Sequence, residues 1–226
     1  THTHTHTHTQ TPHTNTTHKH HTQAFSPQSK VEFKRSIDAC LKLSPSGDCP
    51  DGPHGPIGEW NVSSIRSMAS LFSYASAFIG DISKWDVSRA TDMSSMFLYA
   101  RNFDGDISNW DVSSVTAMSY MFRRAVSFNS DISRWDVSKV TNMNYMFWQA
   151  KAFNQQLCRD HWVNSKASKI EMFSGSFGSI CRRMSATKTF PSRVALKRAV
   201  VACLKFSLEG HCPNGPYGPI GQWDVS

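Results

Sequence analysis

The sequence predicts an α/β fold: a solenoid of short strand–helix repeats, capped at its N-terminal end by a helix. Three observations carry this. Trp60, Trp85, Trp110 and Trp135 recur at a fixed interval of 25 residues. Within each interval the apolar spacing switches from alternation to the i, i+3, i+4, i+7 pattern of a helix. A separate helical pattern and a Gly/Pro-rich turn precede the first unit.

The chain opens on Thr-His-Thr-His-Thr-His-Thr-His, and eight of the 11 His lie in residues 1–21. This segment has no aromatic residue and no β-branched aliphatic one, so residues 1–28 are expected to be a disordered Thr/His-rich leader. Alternating imidazoles can capture zinc or nickel. A CA dinucleotide repeat read as ACA-CAC encodes the same pattern and is the better explanation. Asn15-Thr16-Thr17 in this leader is a glycosylation sequon.

Residues 29–56 read as an N-terminal helical cap. Val31, Ile37, Cys40 and Leu41 take helical spacing. The turn Cys-Pro-Asp-Gly-Pro-His-Gly-Pro-Ile-Gly then ends the helix. A solenoid needs such a terminal cap, with a polar outer face.

Residues 57–156 hold four units, beginning at Ile57, Ile82, Ile107 and Ile132. Numbering places from that Ile, every unit has Ile at 1, Trp at 4, Val at 6, Ser at 7, Met at 12, Phe at 16, Ala at 19 and Phe at 22. Trp and Val at places 4 and 6 share one face of an extended segment. Met at 12, Met or Leu at 15, Phe at 16 and Ala at 19 fit about two helical turns. Thr91, Thr116 and Thr141 are the expected helix N-caps. The repeat core is Trp60, Trp85, Trp110, Trp135, Met93, Met118, Met143, Phe72, Phe97, Phe122 and Phe147. Each Trp would bury ~150–250 Å², on the order of 4–6 kcal/mol gross per unit before entropy is subtracted. One unit cannot bury these side chains alone; stacked units can. The period makes the predicted fold leucine-rich-repeat-like.

Asp86, Asp111 and Asp136 follow the Trp, with Asn61 in the first unit, and Asp81, Asp106 and Asp131 close three units. Stacked coils would bring like charges close together. Hydrogen bonds to turn backbone relieve this best, and a calcium ladder is the alternative. Asn61-Val62-Ser63 is a second sequon.

Leu157 stands where a fifth Ile belongs, after which the pattern loosens, with Trp162, Met172 and Phe173 in shifted register. Residues 157–184 therefore read as a degenerate closing repeat and 185–191 as a linker. Residues 192–226 repeat residues 29–63 with 21 of 35 positions identical. They read as a second cap and the truncated start of a second array, within a longer tandem-module protein.

The six cysteines lie outside the four units: Cys40 and Cys49, Cys158 and Cys181, Cys203 and Cys212. Fifteen pairings exist in principle. Module recurrence favours local pairs, each worth about 2.5–3.5 kcal/mol on the chain-entropy model. Cysteines used this way indicate an oxidising, extracellular or cell-surface setting. Zinc at Cys158, His161 and Cys181 is the rival, but it lacks a fourth ligand.

Net charge is +7, yet the four units carry nine basic and nine acidic residues. The excess lies in residues 159–206, with ten basic and two acidic. No nucleic-acid motif accompanies it, so a solvated surface is expected and no nucleic-acid partner. No apolar run approaches ~18 residues, so no transmembrane segment is expected in this chain. No nucleophile elbow, zinc-hydrolase motif or phosphate loop occurs, so no enzymatic activity and no cofactor are expected. Cys40 and His54 recur as Cys203 and Tyr217, which argues against a Cys–His catalytic pair.

The unit Ile-Ser-x-Trp-Asp-Val-Ser-x-Val-Thr-x-Met-x-x-Met-Phe-x-x-Ala-x-x-Phe-Asn resembles the repeat of BspA-like leucine-rich-repeat surface proteins. The resemblance covers residues 57–156 and weakly 157–184. It implies a secreted or surface-exposed repeat protein acting in adhesion or ligand recognition without catalysis. Places that vary freely would tune the partner, an unknown protein or glycan. Arg89, Arg123, Lys139 and Trp148 are the candidate contacts. The alternative function is a structural spacer or self-associating wall component.

Overall fold

The computed structural model describes residues 24–181 and 192–204, with side chains to residue 202. Helix α1 spans Lys30–Leu43. Ser29 caps it by accepting from the Glu32 N–H at 3.2 Å, while the Glu32 carboxylate accepts from the Gln28 N–H at 2.7 Å. This reciprocal arrangement satisfies donors that the first turn leaves unpaired. Phe33, Ile37 and Cys40 form its buried face, whereas Val31 is exposed. Phe33 packs 6.3 Å from the Trp60 ring and 5.3 Å from that of Trp85, so α1 covers the first unit.

The four units lie one against the next in register, but not as strand–helix repeats. The expected leucine-rich-repeat-like solenoid is not found. Between Glu59 and Gln156 there is neither a helix nor a strand. Each unit is a closed circuit of turns, joined to its neighbour by a single parallel bridge: Ser67 to Asp92, Asp92 to Ala117, Ala117 to Asn142, Asn142 to Ser168.

The backbone at places 14 and 18 explains the missing helix. Ser70, Ser95, Tyr120 and Tyr145 at place 14 have φ of 58–62°, and Tyr74, Tyr99, Arg124 and Gln149 at place 18 have φ of 58–63°. A left-handed residue every fourth position ends a helix before it completes a turn. The freed N–H groups point along the stack instead. In the second unit, Met93, Ser95, Phe97 and Tyr99 donate to the carbonyls of Ala117, Ser119, Met121 and Arg123, all at 2.9 Å. Residues between them close local turns, as from Met96 to Met93 at 3.2 Å and from Ala100 to Phe97 at 3.0 Å. The i, i+3, i+4, i+7 spacing thus selects inward-facing residues of successive turns, not one face of a helix. The threonines are not helix caps either. Thr91, Thr116 and Thr141 donate through both N–H and Oγ1 to place 10 of the preceding unit, at 2.7–3.2 Å.

Inside the stack, the place-16 rings of Phe72, Phe97, Phe122, Phe147 and then Phe173 lie parallel at 5.5–5.6 Å. Place-22 rings form a second column beside them, 3.8–4.1 Å away within each unit. Such stacking adds ~0.5–1.5 kcal/mol per pair beyond burial. Each Trp Nε1 donates one unit back: Trp85 to Ile57, Trp110 to Ile82 and Trp135 to Ile107, at 2.9–3.2 Å. Trp60 has no earlier unit and uses the carbonyls of His54 and Gly55 at 3.1 and 3.2 Å. The Gly/Pro-rich turn therefore supplies what a preceding unit would. Gly58 shows how closely the first unit returns over its own start, since a Cβ there would stand 2.3 Å from the Asp81 carbonyl oxygen.

At the far end, strand β1 (Gln156–Leu157) pairs in parallel with β2 (Ser179–Ile180), and the one-turn helix α2 spans Asp160–Val163. Trp162 donates to the Ile132 carbonyl at 3.2 Å, so it continues the Trp column although it lies 27 residues after Trp135. Glu171 and Gly175 repeat the positive φ of places 14 and 18. Helix α3 spans Arg193–Leu204.

Disulfides join Cys40 to Cys49 and Cys158 to Cys181. The bond between Cys158 and Cys181 rules out zinc held by their thiolates. The Thr/His leader to residue 23 with Asn15, the linker, the Cys203 side chain, Cys212 and the second array from residue 205 lie outside the described residues. Among the described residues, no helix is long and apolar enough to cross a membrane.

Candidate functional site

The repeated residues form the interior, as the burial of Trp60, Trp85, Trp110, Trp135, Met93, Met118, Met143, Phe72, Phe97, Phe122 and Phe147 shows. They are not free to meet a ligand. Partner-facing chemistry must come from the places that vary.

The aspartate columns are occupied locally. Asp81, Asp106 and Asp131 accept from the N–H of the Ser two residues on, as do Asp86, Asp111 and Asp136, at 2.9–3.0 Å. Asn61 does the same for Ser63, taking its N–H at 3.2 Å and its Oγ–H at 2.7 Å. These are Asx turns, which relieve the close approach of like charges. Hydroxyls of the same serines, with help from those N–H groups, hold Asp81, Asp86, Asp106 and Asp136 below the usual carboxylate range. Asp136 also faces His161, with Nδ1 at 3.2 Å. No cluster of three or more His, Cys, Asp or Glu able to hold a metal occurs among the described residues. The Asn61 side chain is engaged in its turn, on an exposed residue.

A different group stands out on the turn face formed by places 14 to 18. Tyr74 and Tyr99 stack at 5.0 Å, and Tyr120 and Tyr145 at 5.2 Å. Between the two pairs lie Arg123 and Arg124. The Arg124 guanidinium sits 5.3 Å from the Tyr99 ring centroid and 5.0 Å from that of Trp148. That of Arg123 sits 4.6 Å from Trp148, 5.5 Å from Tyr120 and 5.9 Å from Tyr145. Ring-on-ring and ring-on-guanidinium contacts thus link residues of all four units.

The left-handed residues at places 14 and 18 build this face. They turn the side chains of Tyr120, Tyr145, Tyr99 and Arg124 outward, while Met and Phe between them turn in. Neither arginine forms a salt bridge among the described residues. The Nε of each is enclosed and has no hydrogen-bond partner. An unmade hydrogen bond of this kind costs about 1–3 kcal/mol. Cation–π attraction of ~0.5–2 kcal/mol per contact offsets it. The arginines are therefore held by ring faces, and no carboxylate competes for their terminal N–H donors.

Of the four contacts expected from variability, the structure brings Arg123 and Trp148 together. Arg89 and Lys139 are exposed at place 8, outside this array. Trp148 is half-buried, and its ring serves as the platform for both guanidiniums. Variability took in place 18, where Tyr99 and Arg124 stand, without singling either out, and it missed Tyr120 and Tyr145 at place 14. One signal was present: places 12–21 of the four units hold Arg101, Arg123, Arg124 and Lys151 and no acidic residue. The remaining places hold five basic and nine acidic residues, so the neutral repeat region is divided by face.

Residues 80–181 match the family model described as "Mycoplasma protein of unknown function, DUF285". The match takes in the second to fourth units and the closing coil, less than half of the chain. It names neither the BspA-like proteins nor a function. No curated protein and no solved structure matches the chain.

Proposed function

We propose that the chain is a non-enzymatic recognition module of the cell surface or extracellular space, in the manner of BspA-like repeat proteins. The observation that carries this reading is the arginine–aromatic face, with two guanidiniums held on rings and, among the described residues, paired with no carboxylate. Fixed donors lose little entropy on binding, which favours recognition of a partner. The two disulfides support an oxidising compartment. The repeated residues are spent on the core, so specificity lies in Arg123, Arg124, Trp148 and the tyrosines beside them. Domain bounds belong to the same proposal: a cap at 29–56, units at 57–156 and a closing repeat at 157–184 form one binding module.

Screening the whole chain against arrays of glycans and extracellular proteins tests this. The expected result is a ligand whose binding falls when Arg123 and Arg124 are both replaced by Gln. A ligand indifferent to that change, or turnover of an array member, would contradict the reading.

The alternative role, a self-associating structural component, draws on Ile170 and Phe177, which are 56% and 77% exposed on the last coil. Sedimentation at increasing concentration distinguishes it, because self-assembly without a heterologous ligand is its signature.

A further inference from the structure

We infer that the arginine–aromatic face binds an extended anionic polysaccharide, one carrying sulfate or carboxylate groups. The inference rests on the recognition reading above and names the class of partner.

Charge is the first argument. Places 12–21 carry Arg101, Arg123, Arg124 and Lys151 without an acidic residue. The aspartates at places 5 and 25 are held in Asx turns, Asp92 at place 11 accepts from the Ser94 N–H, and Asp104 at place 23 accepts from the Asn129 N–H of the next unit. An oxyanion therefore meets attraction at Arg123 and Arg124; the place-14 column continues past Tyr145 to Glu171 of the closing coil, which forms no salt bridge with either arginine. Arginine adds geometry, because a guanidinium fork bonds a planar or tetrahedral oxyanion through two parallel N–H groups.

The second argument is what the rings leave open. Tyr74 lies against Tyr99, Tyr120 against Tyr145, and Trp148 beneath both arginines. Apart from Tyr74, which ends its column and is 67% exposed, these rings are half-buried against one another or against the guanidiniums, so the array offers few platforms on which successive nucleobases could stack. It offers guanidinium donors and tyrosine rims. Among the described residues the phenol hydroxyls of Tyr74, Tyr99, Tyr120 and Tyr145 make no hydrogen bond to the protein. Hydroxyls beside cations suit a partner that is itself a mixture of hydroxyls and oxyanions.

Spacing is the third argument. Equivalent tyrosines recur at 5.0–5.2 Å along the stack. An extended peptide presents same-side residues every ~6.6–6.8 Å and so slips against the coils by over 1 Å at each step. An acidic strand would match one coil and miss the next.

The test uses the whole chain with heparin, polygalacturonate, dextran, polyglutamate and duplex DNA as probes, measured by calorimetry and by affinity against salt. Binding to heparin or polygalacturonate, and not to dextran, is expected. Comparing those two tells sulfate from carboxylate. Arg123→Gln with Arg124→Gln should weaken binding roughly tenfold or more and lower the slope of log affinity against log salt by roughly two. Arg89→Gln with Lys139→Gln should leave both unchanged. Protection of Arg123 and Arg124 in the unsubstituted chain from phenylglyoxal, read by mass spectrometry, checks the site without a variant.

Polyglutamate or DNA binding as tightly as the polysaccharides would overturn the inference. So would binding that depends on Lys197 and Arg198 of α3, or absence of protection at Arg123 and Arg124. If no polyanion binds but the array returns another ligand sensitive to Arg123 and Arg124, this inference fails and the recognition reading stands.

Discussion

The guanidinium of Arg124 lies 5.0 Å from the ring centroid of Trp148, one unit further along the stack. This contact exists only because successive units are in register and Arg124 adopts a positive φ of 58°. The proposed contact face and the architecture therefore rest on the same backbone feature.

If places 14 and 18 are left-handed, Ser95 at φ 58° is strained by about 1–2 kcal/mol. Ser95→Gly should then keep or raise stability, and Ser95→Val should lower it by about 1–2 kcal/mol. A helical segment predicts the opposite order, with Gly the worse residue. Urea unfolding of the two variants decides between them.

Trp110 holds a buried hydrogen bond from Nε1 to the Ile82 carbonyl at 3.2 Å. Trp110→Phe keeps an aromatic ring but removes the donor and some volume. A loss of about 1–3 kcal/mol is expected by chemical denaturation.

Asp81, Asp86, Asp106 and Asp136 are held below the ordinary carboxylate value, chiefly by the serine hydroxyls. A folded pKa below the unfolded one means that the charged form stabilises the fold. That contribution is complete above the unfolded value of ~3.9 and disappears as pH falls through the lowered folded value. The melting temperature should therefore drop below about pH 4. Replacing these four by Asn should flatten that drop, because Asn61 already makes the same turn in the first unit.

The disulfide between Cys158 and Cys181 spans 23 residues and that between Cys40 and Cys49 spans nine. On the chain-entropy model, removing the first costs about 3.4 kcal/mol and the second about 2.6 kcal/mol. Thermal melts of the two Cys→Ser pairs should rank in that order. Added reductant should shift a protein lacking both pairs less than it shifts the unsubstituted chain.

The interior was legible because period and burial are the same fact: only a stacked interior demands Trp, Met and Phe at equal intervals. The conformation of the turns was not. Met93, Met96, Phe97 and Ala100 fit helical spacing, yet they are inward residues of two consecutive turns separated by Ser95 and Tyr99. Nothing about Ser or Tyr marks a left-handed position as Gly or Asn would. The extended segment likewise promised a sheet, but each unit contributes only one bridging residue. The contact site was half visible. Variability pointed to Arg123 and Trp148, and equally to Arg89 and Lys139, because it is blind to which side of a coil a place occupies. Place 18, with Tyr99 and Arg124, varied too but was not singled out, and Tyr120 and Tyr145 at place 14 required the three-dimensional register.

The most direct measurement follows the arginine Nε–H resonances of the isotopically labelled whole chain during titration with the ligand returned by the array screen. The account predicts that the Nε–H signals of Arg123 and Arg124, which have no hydrogen-bond partner among the described residues, move together and saturate with binding. Signals of Arg89 and Arg134 should stay in place. Movement confined to Arg89 and Arg134, with Arg123 and Arg124 unchanged, would contradict it.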